Sequence, residues 1–145
     1  MTDSLDIAFR RLEALDLSAI GSTGDWGLGR TFSHLAQGVE FSITGYPLQK
    51  PRLFQVTAGK LAFAVFNMRG QMRHGLDQII PGEVVAEVTP NEGLSRLWTS
   101  LEAFRGFDGP LRPHFAFGHL NKDRFAKAHL LHIDNHLEEV TGAAR

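Results

Sequence analysis

The sequence predicts an all-α fold, a four-helix bundle with one long crossover, and three observations carry that prediction. Apolar residues recur at helical spacing in four separate segments, those segments carry capping residues, and β-branched runs are few. The first segment places Leu5, Ala8, Phe9, Leu12 and Leu15 on one face, and Thr2, Asp3 or Ser4 can cap it, so a helix is predicted near 3–16. The second is predicted near 26–44, with Asp25 as its cap and Leu28, Phe32, Leu35, Val39 and Ile43 as its apolar stripe. Gly45 and then Pro47 stop it. Thr89-Pro90-Asn91-Glu92 is the strongest start signal in the chain: a capping threonine, a proline at the first helical position and a glutamate two residues later. It predicts a third long helix near 89–105, ended by Gly106. Asn121 caps the fourth, near 122–140, and Asp123 favours the positive end of its dipole. The stretch 47–88 is then a crossover with a short extra helix, opened by Pro51 at its first position and stopped by Gly70. Residues 71–88 read as irregular, with Glu83–Val88 as an extended piece.

Composition bounds the function classes. A chain of 145 residues with 43% hydrophobic and 21% charged residues suits one globular domain, 1–145. The formal net charge of −1 excludes a basic nucleic-acid footprint spread over the domain. The absence of cysteine excludes a disulfide framework, a zinc finger, an iron–sulfur cluster and a cysteine nucleophile. No run of about 18 apolar residues is present, and the first residues read unlike a secretory signal, so a cytoplasmic location is expected.

The chemistry-bearing feature is histidine, seven in all, three of them in AHLLHIDNH on the fourth helix. At 100° per residue, with His132 at 0°, His136 falls at about 40° and His129 at about 60°. Ile133, Leu137 and Leu130 lie at about 100–160°, whereas Asp134, Lys127 and Glu138 lie at about 200–240°. The three imidazoles therefore adjoin the apolar stripe and point at the bundle interior or its rim. Burying them is costly unless something satisfies the rings. A divalent ion does so, and His132 and His136 have the spacing of the HxxxH pair in metal-binding helices. A third ligand from a neighbouring helix completes a site with open positions, and His34, in the middle of the second helix, is the obvious candidate. The competing reading is a structural bundle whose histidines only hydrogen-bond. His114 and His119 flank an aromatic loop and read equally as surface or capping residues, and His74 reads as solvent-exposed. There is no GxGxxG and no GxSxG, and Ser33 points about 100° away from His34, so they form no catalytic pair.

Three pieces together, FSHLAQGVEFS (32–42), HFAFGHLNKDRF (114–125) and HLLHIDNHL (129–137), resemble a bacterial family of unknown function within the DinB-like superfamily. The resemblance covers about Trp26 to Val140. It implies a DinB-like four-helix bundle and a divalent-metal site of one histidine on the second helix and an HxxxH pair on the last: His34, His132 and His136. His129 lies outside that triad, as a group near the ligands or facing substrate. Asn135 stands where relatives often carry another histidine. Characterised members of the superfamily include thiol-dependent S-transferases and maleylpyruvate isomerase.

The leading expectation is therefore a metal-dependent enzyme, a transferase or isomerase on a small molecule, with His129 as the candidate for proton transfer. The cofactor is a divalent ion, zinc or nickel, since imidazole suits both. Without a protein cysteine, any thiol must be a low-molecular-weight cofactor. The alternative is a non-catalytic metal- or small-ligand-binding domain, related to stress. The partner expected is a small-molecule substrate, with neither nucleic acid nor membrane, and a homodimer is one oligomeric outcome.

Overall fold

Five helical stretches and one two-residue strand pair make up the computed structural model, which describes residues 3–22, 24–72 and 78–141. His74, expected to be exposed, and Thr2, one of the candidate caps, lie outside the described residues.

α1 (Ser4–Glu13) is capped by Asp3, whose carboxylate accepts from the Leu5 N–H at 3.2 Å. It buries Leu5, Ala8, Phe9 and Leu12. It ends before the predicted residue 16 because Asp16 forms a turn instead, its carboxylate accepting from the backbone and hydroxyl of Ser18. α2 (Leu28–Thr44) starts two residues later than predicted. Gly27, not Asp25, is its N-cap, and Trp26 turns back to bury its indole against the helix's own His34. Gly45 ends it at φ 112°, where only glycine is comfortable, and donates to Phe41 O. α2 is buried nearly all round, polar Ser33, His34, Gln37 and Ser42 included. A helix buried on all sides carries polar groups only where partners meet them.

The crossover helix spans nearly the predicted stretch, but not as one regular α-helix. α3 (Arg52–Phe54) runs through a π-helical segment, Gln55–Gly59, into α4 (Lys60–Arg69). Pro51 is the N-cap rather than the first helical residue, and Gly70 closes the run in the left-handed region. The wide turn rests on the segment 114–118: Gln55 Nε2 donates to Phe115 O at 3.1 Å, and its neighbour Gln49 also accepts from it. Residues 83–88 form no strand. They are pinned instead by the Gln37 side chain, which donates to Val84 O at 2.7 Å and accepts from Val84 N at 2.9 Å.

α5 (Pro90–Gly106) has the predicted capping box, with Thr89 Oγ1 accepting from Glu92 N and Glu92 Oε2 from Thr89 N. It packs on α2, where a Cβ at Gly93 would fall 2.6 Å from Gly29 O, and the chain entering α5 is as close, a Cβ at Gly29 falling 1.8 Å from Val88 O. α6 (Lys122–Leu137) is capped by Asn121 as predicted, accepting from Arg124 N at 2.9 Å. It ends three residues before the predicted Val140, because Val140 leaves to pair with Ser22 in a short antiparallel ladder, β1 (Gly21–Ser22) with β2 (Val140–Thr141). α1 packs on α5 and α6, α2 on α5 and α6, and α4 on α6. Between them Phe32, Leu35, Leu97, Leu101, Phe104 and Phe125 are wholly buried. Each such side chain contributes roughly 1.5–3 kcal/mol relative to exposure. Among the described residues, no helix is long and apolar enough to cross a membrane.

Candidate metal centre

α2 and α6 bring three histidines together because both helices turn their polar interior positions toward the same seam. Donor nitrogens of His34, His132 and His136 lie within 4.8 Å of one another. His34 Nε2 and His132 Nε2 stand 3.0 Å apart. The three rings meet edge to face, with centroids 4.7 Å apart for His34 and His136 and 4.9 Å for the other two pairs. His34 and His136 are each 2% exposed, and His132 is half-buried. Trp26 roofs the cluster, stacked on His136 at 5.9 Å and edge-on to His34 at 5.0 Å, with the Arg30 guanidinium over its outer face.

One partner comes from outside both helices. Glu83, on the segment before α5, places Oε1 at 2.7 Å from His34 Nδ1, and its side chain is 3% exposed. The same oxygen accepts from Ile80 N, and the Gln37 clamp on Val84 holds the backbone beside it. A carboxylate on Nδ1 makes that nitrogen the N–H donor and leaves the Nε2 lone pair facing His132. This is the outer partner that metal-binding histidines commonly have.

The donor set fits a divalent ion. Two nitrogens held tetrahedrally at 2.0–2.1 Å from one ion lie about 3.3 Å apart, close to the 3.0 Å between His34 and His132. Three neutral imidazoles and no thiolate suit zinc or nickel equally. Gly38 makes room for the His132 ring, since a Cβ there would lie 3.2 Å from Ile80 Cδ1 and 3.4 Å from His132 Nδ1.

A cavity of about 300 Å³ opens beside His34 and His132, walled mainly by apolar side chains such as Phe66, Ile80, Phe115 and Phe117. His129 lines it one turn along α6 from His132, outside the three-nitrogen group. Its ring is 4% exposed, stacks on Phe125 at 5.6 Å and hydrogen-bonds Ser42 Oγ at 3.2 Å. Burial pushes it down to about 3. His114 also lines the cavity, while the exposed His119 does not. Burial, with the neighbouring His129 and Lys60, pushes His114 down to about 3 as well. Its Nδ1 accepts from Ala116 N and Phe117 N, so it caps the turn at the loop's tip.

Two residues escaped the sequence reading. Glu83 contacts His34 across 49 positions from a segment without periodicity. Trp26 reads as the start of α2, and nothing local distinguishes a first-turn tryptophan from one folded back. The signal for Glu83 was an acid in an apolar extended run, Val84 and Val85 following it.

Fold and site together define a mostly helical protein with a buried three-histidine cluster beside a cavity. The chain belongs to the family described as "Protein of unknown function (DUF1569)", whose model matches residues 1–143. No curated protein and no solved structure matches it.

Proposed function

We propose that the protein is a metal-dependent enzyme with a DinB-like bundle, acting on a small molecule by thiol-dependent transfer or isomerisation. The observation that carries the reading is the convergence of three imidazole nitrogens within 4.8 Å, backed by Glu83 and bordering a cavity. His34, His132 and His136 would hold a divalent ion. When bound, such an ion supplies Lewis-acid polarisation and lowers the pKa of a coordinated thiol or water.

The chain's own residues divide the remaining work. Glu83 holds His34 in one tautomer, and Trp26 excludes water from the buried side of the cluster. His132, half-buried and on the cavity wall, marks the side from which substrate reaches the ligands. His129 contacts substrate from the next turn. With its ring pushed down to about 3, it is neutral at physiological pH, which favours hydrogen bonding over the proton transfer expected from spacing alone. The deep burial of His34 and His136 favours a second reading, a non-catalytic metal- or ligand-binding domain.

Elemental analysis of the purified, untagged protein tests the metal. One zinc or nickel per chain is expected, with most of the affinity lost in His34→Ala, His132→Ala and His136→Ala. Unchanged stoichiometry in all three overturns the assignment. Thiol-transfer and isomerisation assays on loaded protein then separate enzyme from binding domain. His129→Ala is expected to keep the ion and lose turnover. Loss of the ion in that variant would make His129 a ligand.

A further inference from the structure

The cavity has a second polar feature, separate from the three-histidine cluster. His114 and His129 flank Phe125, with ring centroids 6.2 Å and 5.6 Å from it, and both line the cavity. The hydrogen bonds each makes determine which nitrogen carries its proton. His114 Nδ1 accepts two backbone N–H groups, at 3.1 Å from Ala116 and 3.0 Å from Phe117, so its proton is on Nε2. Its ring is stacked between Phe117, at 4.3 Å, and Phe115, at 4.7 Å, which holds that N–H in one direction. Ser42 Oγ spends its own hydrogen on Val39 O and therefore accepts from His129 Nε2–H. His129 Nδ1 is left as a bare acceptor on a ring that is 4% exposed. These two rings thus offer one donor and one acceptor, and neither His114 Nε2 nor His129 Nδ1 has a hydrogen-bond partner among the described residues.

We propose that the cavity binds a small, mainly apolar molecule carrying one uncharged group that both donates and accepts a hydrogen bond, a hydroxyl above all, held between His114 Nε2–H and His129 Nδ1. A carboxylate could use the donor but would set a lone pair against the acceptor. Burial keeps both imidazoles neutral, so neither offers an anion a positive charge. Lys50 is the only charged side chain on the cavity wall among the described residues, and it is exposed, its ammonium over the Phe54 ring at 5.0 Å. Tyr46 has spent its hydrogen on Gly38 O. The aromatic walls and the volume of about 300 Å³ suit a single ring with short substituents. The proposal rests on the metal reading only for which end of the molecule faces His132. Binding through His114 and His129 needs no ion.

The test is calorimetric titration of the full chain with phenol, anisole, benzene and benzoate, as purified and again after chelation. Phenol is expected to bind tenfold or more tightly than benzene, with anisole between them and benzoate weakest, in both preparations. His114→Asn keeps an acceptor for the turn and removes the Nε2 donor. His129→Gln keeps a donor for Ser42 and removes the Nδ1 acceptor. Each is expected to cost phenol roughly fivefold to tenfold while leaving benzene unchanged. Unchanged melting by circular dichroism verifies that both variants fold. Long-range proton–nitrogen spectra are expected to show both rings as neutral Nε2–H tautomers, with His129 Nδ1 shifting on phenol addition. Equal binding of phenol and benzene, preference for benzoate, indifference to both substitutions, or no binding at all overturns the proposal. Because chelated protein is included, these results are independent of whether the ion binds.

Discussion

His34 shows how much a single side chain's surroundings add to its identity. A histidine in mid-helix is chemically ambiguous, but one with a carboxylate at 2.7 Å on Nδ1 has a defined face. Outer partners of this kind are worth roughly 10–100-fold in metal affinity. Glu83→Ala is therefore expected to weaken zinc binding by that order without removing a ligand, and Glu83→Gln, which still offers an oxygen, by less. Competition against a chromogenic chelator measures both, and wild-type affinity in Glu83→Ala would show that the carboxylate does not orient the ring. Gly38 acts from the opposite side. Gly38→Ala would press on Ile80 and His132, so metal affinity is expected to fall while helix content is preserved. Equilibrium dialysis beside far-ultraviolet circular dichroism separates the two effects.

At the scale of elements, the long helices were legible because their signals are local. Caps at Asp3, Thr89 and Asn121 and stripes at helical spacing all stand within a few residues of what they control. The start of α2 and the end of α6 were not, because each depends on contacts elsewhere: Trp26 with the histidines, Val140 with Ser22. The candidate ligands were readable from spacing on α6, whereas Glu83 was not, since no pattern along the chain marks a contact closed by folding. The capping box gives a clean check. Thr89→Ala is expected to cost about 1 kcal/mol, read from urea midpoints. Gly29→Ala is expected to cost more, on the order of 1–3 kcal/mol or beyond, because the new methyl meets the backbone carbonyl of Val88 rather than a movable side chain. A smaller loss for Gly29→Ala than for Thr89→Ala would contradict the tight crossing of α2 and α5.

For the whole molecule, the two imidazoles held near 3 set a dependence on acidity. Below about 6.5 the unfolded chain takes up protons at His114 and His129 that the folded chain excludes. Stability from these groups is therefore complete above that value and declines as pH falls from about 6.5 toward 3. The limiting slope is about 1.4 kcal/mol per pH unit for each excluded proton. The buried His129 approaches it, and the half-buried His114 contributes less. Urea midpoints of chelated protein between pH 4 and 7 should fall with acid, and His129→Gln should flatten the decline. A profile as steep in the variant as in the wild type would assign the effect to other groups.

The candidate ligands His34 and His132 are 98 positions apart, and α6 follows every other described helix in the chain. During synthesis the seam between α2 and α6 does not exist until α6 has been made and docked. A peptide of α6 alone carries HxxxH but lacks His34, Glu83 and the Trp26 roof. On the proposed metal reading, tight retention of an ion would be acquired only after translation has passed α6, and it would report completion of the fold. A nascent chain arrested before Lys122 should leave zinc in the medium, and the same chain extended past Leu137 should take it up.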